Sequence, residues 1–198
     1  ETEMLVELVF DQLPKHQDAS ESLLVCDIGT GSGCIALSFA YERLDLKVYA
    51  SDISPEALYV ARKNAERYSL ENRVSFFEGN LGRPIFDHLA SQGIHHIDAL
   101  ISNLPYIPTD GMTILPPEVK DFEPRVALHG GKDGLELYYR LVDETETFLK
   151  TGTIAVLALE LDERNVEKAA EFLKTRNLFD TVEVAQDLTN RPRFLLAK

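Results

Sequence analysis

Short apolar runs alternate along this chain with segments whose apolar residues recur every three or four positions. The runs predict seven strands at residues 23–27, 47–51, 74–77, 97–102, 153–161, 182–185 and 194–197. The segments between them predict helices. Strands that alternate with helices are typical of a mostly parallel sheet with helices on both faces.

The connections refine this α/β prediction. Ser54 followed by Pro55 is a strong signal for the start of a helix. Gly152 is placed to end the helix predicted between the fourth and fifth strands. The link 186–192 is too short for a crossover helix, so the last two strands should be antiparallel. The irregular stretch 107–132 is rich in proline and glycine and long for a compact domain, which indicates a functional loop.

A glycine-rich loop follows the first strand and reads Asp27-Ile-Gly-Thr-Gly-Ser-Gly33. Its glycines allow a tight turn and close approach of a ligand to bare backbone. The dinucleotide fingerprint places its third glycine one position later. An acid before the loop also suits a cationic amino-acid group better than a pyrophosphate, which Asp27 would repel. The loop therefore favours S-adenosylmethionine over a dinucleotide.

Two further strand ends extend this predicted cofactor site. Asp52 closes the second strand, before Ile53, where it can accept two hydrogen bonds from ribose hydroxyls. Asn80 and Leu81 follow the third strand, where an adenine ring would lie. The interpretation of Asn80 as an ordinary turn residue stays open beside this one. The predicted cofactor-binding residues are Asp27, Gly29, Thr30, Gly31, Ser32, Gly33, Asp52, Ile53, Asn80, Leu81 and Asn103.

The fourth strand is followed by Asn103-Leu-Pro-Tyr106. Pro105 removes a backbone donor and forces Leu104 into an extended conformation, which predicts a stiff turn. The Asn103 side-chain oxygen and the Leu104 carbonyl are two acceptors, and Tyr106 offers a stacking face. This set suits the grip of a planar NH₂ group, so we predict that Asn103, Leu104, Pro105 and Tyr106 are catalytic and bind the substrate.

Composition limits the function classes. The chain has 198 residues, which suits a single domain at 1–198, and a net charge of −13, which argues against a stand-alone nucleic-acid binder. It has no apolar stretch of membrane-spanning length and no secretory signal, and Cys26 and Cys34 are expected to be reduced core residues. His95 and His96 are expected to be solvated, and no metal site is predicted. We expect a cytoplasmic monomer.

With these residues assembled, the chain resembles class I methyltransferases, and more narrowly the HemK/PrmC family of protein glutamine methyltransferases. Glu1-Thr-Glu3 is similar to the family's P-E-T-E segment, and Asn103 to Tyr106 to its N-P-P-Y turn. The most family-specific stretches are Asp121-Phe-Glu-Pro-Arg-Val-Ala-Leu128, Gly130-Gly-Lys-Asp-Gly-Leu135 and Tyr139-Arg140.

The resemblance implies methyl transfer from S-adenosylmethionine to the glutamine of the Gly-Gly-Gln motif in peptide-chain release factors. It also implies a seven-stranded Rossmann-like sheet with an antiparallel terminal strand, and a substrate loop shaped by Glu123 and Pro124. The family's N-terminal helical docking domain is expected to be absent. Two residues depart from the family: Leu104 replaces a proline, and Asn80 a common aspartate.

Two other functions stay open at this point. An adenine-N6 methyltransferase acting on RNA or DNA would present the same planar NH₂ to the same turn, and N-L-P-Y is typical of ribosomal RNA adenine dimethyltransferases. A domain that binds the cofactor as a scaffold, without turnover, is the third. Glu160 could line the pocket or mark the end of its strand, and Arg191 and Arg193 could contact a partner or be ordinary strand-end charges.

Overall fold

A computed structural model of the chain describes residues 2–14, 22–120 and 123–198. The strands in these residues are β1 (Leu23–Ile28), β2 (Leu46–Asp52), β3 (Val74–Glu78), β4 (His96–Ser102), β5 (Thr153–Glu160), β6 (Val182–Gln186) and β7 (Pro192–Ala197). They form one sheet in the order β3-β2-β1-β4-β5-β7-β6. All the predicted strands are confirmed.

The sheet is parallel except at one strand. β1 pairs in parallel with β2 and β4, β2 with β3, and β4 with β5, whereas β7 is antiparallel to both β5 and β6. The antiparallel terminal pair is therefore confirmed, as is the fold class. The short link between β6 and β7 explains this pairing, because a parallel pair needs a crossover connection.

Helices cover both faces of the sheet. They are α1 (Thr2–Phe10), α2 (Cys34–Glu42), α3 (Pro55–Arg67), α4 (Arg83–Ser91), α5 (Pro117–Lys120), α6 (Glu136–Leu149) and α7 (Val166–Arg176). The apolar residues of α1, α2 and α3 pack on one face, and those of α4, α6 and α7 on the other. In the described part of the chain, no helix is long and apolar enough to cross a membrane.

Two predictions concern where helices begin and end. The Ser54 side chain accepts a hydrogen bond from the Ala57 amide and caps α3, as predicted. The prediction that Gly152 ends α6 is wrong: the helix ends at Leu149, and a Cβ at Gly152 would lie 2.8 Å from the His95 carbonyl oxygen. Gly152 therefore lets the start of β5 approach the chain before β4.

The two cysteines have different surroundings. Cys26 is buried in the sheet, and burial raises the pKa of its thiol well above the ordinary range. Cys34 is exposed at the first turn of α2, so its assignment to the core is wrong. α2 begins beyond the carboxyl ends of the strands, where its first residue lies beside solvent. Both are free thiols.

Candidate active site

The strand order brings the two predicted loops together. The strand order reverses between β1 and β4, since β2 and β3 are added on one side of β1, and β4 and β5 on the other, and ligands of open α/β sheets bind at such a switch point, outside the carboxyl ends of the strands. Ile28 of β1 lies opposite Ser102 of β4. Gly29 and Asn103, the next residue of each strand, are consequently neighbours.

Backbone bonds hold the glycine loop against the end of β2. The Gly29 and Thr30 amides donate to the Ser51 carbonyl at 2.8 and 2.9 Å, and the Gly31 amide donates to Asp52 Oδ2 at 2.8 Å. Gly29, Gly31 and Gly33 all have positive φ, at 75°, 58° and 87°. Only glycine adopts this region at low cost, so the sequence of the loop dictates its path.

Asp52 holds the loop and also faces the cavity. Its Oδ1 accepts from the Ser54 amide at 2.9 Å, so each carboxylate oxygen already binds one backbone N–H. A carboxylate has about four acceptor positions, so about two remain for a ligand. This matches the two ribose hydroxyl bonds that the sequence predicts for Asp52.

Asp27 lies under the glycine loop and is fully buried. Its Oδ2 accepts from the Thr30 hydroxyl at 2.6 Å and the Ala36 amide at 3.2 Å, whereas Oδ1 has no hydrogen-bond partner among the described residues. Burial raises the pKa of this carboxyl to about 7; the bonds from Thr30 and Ala36 oppose the shift, and the Asp52 charge adds to it. The site thus contains a buried acid with one orphan oxygen.

The Asn103 turn is tied to its surroundings at both ends. Asn103 Nδ2 donates to the Thr2 hydroxyl at 3.2 Å. The Leu104 side chain is buried against the glycine loop, and its Cδ2 would lie 3.0 Å from a Cβ at Gly29. The Tyr106 hydroxyl accepts from Arg193 at 3.0 Å, and that guanidinium lies 5.2 Å from the Tyr106 ring centre.

A cavity of about 820 Å³ joins the loop and the turn. The predicted residues in its wall are Gly29, Gly31, Asp52, Ile53, Asn80, Leu81, Asn103, Leu104, Pro105 and Pro124. Four predicted cofactor residues, Asp27, Thr30, Ser32 and Gly33, are not part of the wall. Tyr106 is also outside the wall, since one face of its ring packs on Arg193.

Other residues of the cavity wall were not predicted. They are Ser54, Glu56, Ala57, Val60, Arg125, Val126, Ala127, His129, Leu137 and Arg140. Arg125 and Arg140 belong to the stretches that resemble the glutamine methyltransferase family. Glu56 and Val60 are four positions apart on α3 and so lie on the same face of the helix, which could have indicated that both line the cavity. Glu123 lines a smaller neighbouring cavity of about 440 Å³ with Arg125 and Leu128.

The histidines at the start of β4, His95 and His96, are not part of the wall of this cavity. The His96 ring contacts Thr153 Oγ1 at 2.7 Å and Asp98 Oδ1 at 3.0 Å, at the opposite end of the strand. Among residues 2–14, 22–120 and 123–198, no group of three His, Cys, Asp or Glu side chains could hold a metal ion.

The glycines of the Gly130 to Leu135 stretch pack against the Asn103 turn. A Cβ at Gly130 would lie 2.6 Å from the Pro105 carbonyl oxygen, and one at Gly134 would lie 2.2 Å from that of Tyr106. The stretch therefore supports the far side of the turn. The other motif residues Glu1, Asp121 and Phe122 lie outside the described residues.

Replacing Gly134 by alanine is expected to lower the free energy of unfolding by about 3 kcal/mol or more and to displace Tyr106. Gly134 has φ +82°, which costs a non-glycine residue about 1–2 kcal/mol, and the new methyl group would overlap a carbonyl oxygen. Urea unfolding of the purified variant measures the loss.

Gly93→Ala is the matched control for the backbone term. Gly93 has φ +67°, and apart from its two chain neighbours none of the described residues comes within 4 Å of a Cβ built on it. It should lose only the conformational cost, about 1–2 kcal/mol. Equal losses in the two variants would show that close packing against the turn contributes nothing.

Sequence comparison identifies the family of this site. The family model of a methyltransferase domain matches residues 19–120, which include the glycine loop, Asp52, Asn80 and the Asn103 turn. The chain belongs to the methyltransferase-domain family.

Relatives extend the similarity along this methyltransferase domain. Release factor glutamine methyltransferases from Moorella thermoacetica and Bacillus cereus are 38% and 36% identical to it across the whole chain. The resemblance noted from the sequence is thus confirmed. The chain spans 65% and 66% of those proteins, just under two thirds of their length.

Solved structures agree on the fold. The human METTL16 catalytic domain in complex with the MAT2A 3′UTR hairpin 6 superposes with a TM-score of 0.75 at 16% identity, over 98% of this chain and 68% of that one. The N-terminal domain of human METTL16 in complex with SAH gives 0.68 at 18% identity, over 100% of this chain and 68% of the other. At this identity the similarity shows a shared fold alone.

Proposed function

We propose that this domain transfers a methyl group from S-adenosylmethionine to the side-chain amide nitrogen of the glutamine in the Gly-Gly-Gln motif of peptide-chain release factors. One observation carries the proposal. A single cavity joins Gly31 and Asp52 to the Asn103 turn, in a chain whose relatives are named release factor glutamine methyltransferases.

The residues around the cavity fit the cofactor. Its volume, about 820 Å³, is in the range of small-molecule sites. Gly29 and Gly31 offer bare backbone, Asp52 keeps acceptor positions for ribose hydroxyls, and Leu81 is an apolar surface for a ring. When bound, S-adenosylmethionine supplies an electrophilic methyl group on a positively charged sulfur.

The Asn103 turn would orient the acceptor. An amide nitrogen is a poor nucleophile because its lone pair is delocalised into the carbonyl. The Asn103 Oδ1 atom and the Leu104 carbonyl accept hydrogen bonds from the two N–H groups of the glutamine amide and hold its nitrogen toward the methyl group. As the new N–C bond forms, the C–S bond breaks with its electrons left on sulfur, and the amide proton passes to solvent. Such positioning contributes several kcal/mol to the barrier reduction.

The test offers the purified chain labelled S-adenosylmethionine with a release factor, and separately with ribosomal RNA, and maps the methyl group by mass spectrometry. We expect label on the Gly-Gly-Gln glutamine. A release factor with that glutamine changed to alanine is the matched control and should stay unlabelled. Label on RNA adenine with none on glutamine contradicts the proposal. Tight cofactor binding without transfer to either acceptor contradicts it in favour of a scaffold role.

A further inference from the structure

Buried and half-buried polar side chains from distant parts of the chain meet behind the Asn103 turn. β5 lies beside β4, so its last residue, Glu160, comes level with Asn103. β7 lies on the other side of β5 and brings Arg193 to the same edge. Thr2, the first residue of α1, completes the group.

Hydrogen bonds join these residues in series. Asn103 Nδ2 donates to Thr2 Oγ1 at 3.2 Å, and Thr2 Oγ1 donates to Glu160 Oε2 at 2.9 Å. Arg193 Nη2 lies 3.4 Å from Glu160 Oε1 and donates to the Tyr106 hydroxyl at 3.0 Å. The series therefore begins at the first residue of the catalytic turn and ends at the last.

The order of donors and acceptors decides which way the Asn103 amide faces. A carboxylate paired with arginine can only accept hydrogen bonds, so the Thr2 hydroxyl must donate its one hydrogen to Glu160. Thr2 can then only accept from Asn103, which must turn its NH₂ toward Thr2. The Asn103 oxygen is left on the other side, available to the substrate.

Burial of the ion pair supports a role beyond stability. Glu160 is 3% exposed and Arg193 is 7% exposed. Removing two charges from water costs several kcal/mol, and apolar replacements of such pairs are often neutral or stabilising. The pair here connects Asn103, by way of Thr2, to Tyr106. An apolar pair could not make these hydrogen bonds.

We propose that Glu160, Thr2 and Arg193 are positioning residues, which fix the Asn103 amide with its oxygen toward the acceptor and anchor Tyr106. This inference rests on the proposed function for its kinetic consequence. It also explains a choice of substrate: a fixed acceptor oxygen selects a group with N–H bonds, such as the glutamine amide, over a glutamate carboxylate.

Thr2→Val is the first test, with methyl transfer to the release factor as the readout. Valine keeps the shape but frees the Asn103 amide to rotate, so we expect kcat to fall about tenfold with the KM for S-adenosylmethionine unchanged. Thr2→Ser restores the hydroxyl and should recover most of kcat. Glu160→Gln lets the Thr2 proton turn toward Asn103 and should lower kcat by at least the same factor.

Thr145→Val is the matched control. Thr145 is a fully buried threonine of α6 whose hydroxyl has no hydrogen-bond partner in the part of the chain that the structure describes. The same change in side-chain chemistry there should leave kcat unchanged. A loss of kcat in Thr145→Val as large as in Thr2→Val would overturn the inference, because it would report general damage to packing.

The second readout needs no substrate. The side-chain amide signals of Asn103 in a ¹H–¹⁵N spectrum, identified by their loss in Asn103→Ala, should shift in Thr2→Val and Glu160→Gln and stay in place in Thr145→Val. Unshifted signals with an unchanged kcat would refute the positioning role. Shifted signals in a protein that does not methylate glutamine would uphold the hydrogen-bond series and reject the proposed function, so the two failures are distinguishable.

Discussion

Replacing Asn103 by alanine is expected to lower the rate of methyl transfer by about 10³-fold or more, while the Kd for S-adenosylmethionine changes less than about threefold. The substitution removes the side-chain oxygen that would accept an N–H bond of the glutamine amide. It leaves Gly29, Gly31 and Asp52, which hold the cofactor in our proposal, untouched. Single-turnover kinetics and isothermal titration calorimetry measure the two quantities separately.

Asn80→Ala is the contrasting variant, since Asn80 also lines this cavity. If Asn80 accepts from the adenine amino group, its loss should raise the Kd for S-adenosylmethionine and spare the rate at saturating cofactor. A Kd that stays at the wild-type value would leave Asn80 as a turn residue. Equal losses of cofactor affinity and of rate in Asn103→Ala would show that Asn103 serves the cofactor and not the acceptor.

The sequence allowed prediction of the part of the site that sits directly after strands. Gly29, Asp52, Leu81 and Asn103 each follow or close an apolar run, and the carboxyl ends of parallel strands meet at one edge of a sheet. Local signals therefore sufficed for the fold and for the part of the cavity wall that lies at the strand ends. The strand boundaries differ by at most two residues from the prediction.

The residues behind the turn could not be found in this way. Thr2 and Glu160 are in contact across 158 positions of sequence, and their meeting depends on the register of β5 and on the docking of α1. Neither is visible in local periodicity, and α1 itself was not among the predicted helices. The sequence likewise left open whether Arg193 was an ordinary strand-end charge, and only the antiparallel pairing of β7 brings it to Tyr106.

The direction of the Asp27 side chain was the other property that the sequence did not reveal. An acid before a glycine loop was expected to face the cofactor. The structure instead turns it beneath the loop, where Oδ2 holds Thr30 and the start of α2. Asp27 therefore does not contact the cavity directly. Its negative charge would act on the cationic part of the cofactor across the glycine loop, while its hydrogen bonds hold the loop in place.

Replacing Asp27 by asparagine is expected to remove a pH-dependent cost of folding. The folded-state pKa is about 7 against 3.8 for the ordinary carboxyl, so between these values the folded protein binds more protons than the unfolded chain. Stability contributed by this group is intact below about pH 4 and is lost as the pH rises through 7. The shift corresponds to at most about 4 kcal/mol.

The measurement is the free energy of unfolding of both proteins from pH 4 to pH 8. The introduced asparagine side chain keeps an oxygen for the Thr30 hydroxyl and the Ala36 amide, and its unpartnered NH₂ offsets part of the gain. Asp27→Asn should therefore be more stable than wild type by about 1–3 kcal/mol at pH 8, and less stable by about 1–3 kcal/mol near pH 4, where Asp27 is protonated in the fold and only the cost of the NH₂ remains. A difference between the two proteins that does not change with pH would show that Asp27 is ionised in the fold without penalty.

The same variant tests the electrostatic effect on the cofactor. The Asp27 carboxylate should favour the sulfonium and ammonium charges of S-adenosylmethionine, so Asp27→Asn should weaken its binding about tenfold at pH 8. Binding of 5′-methylthioadenosine, which lacks both charges, is the internal control and should not change. Equal weakening of the two ligands would mean that the substitution acts by loosening the loop, and that the buried charge has no part in holding the cofactor.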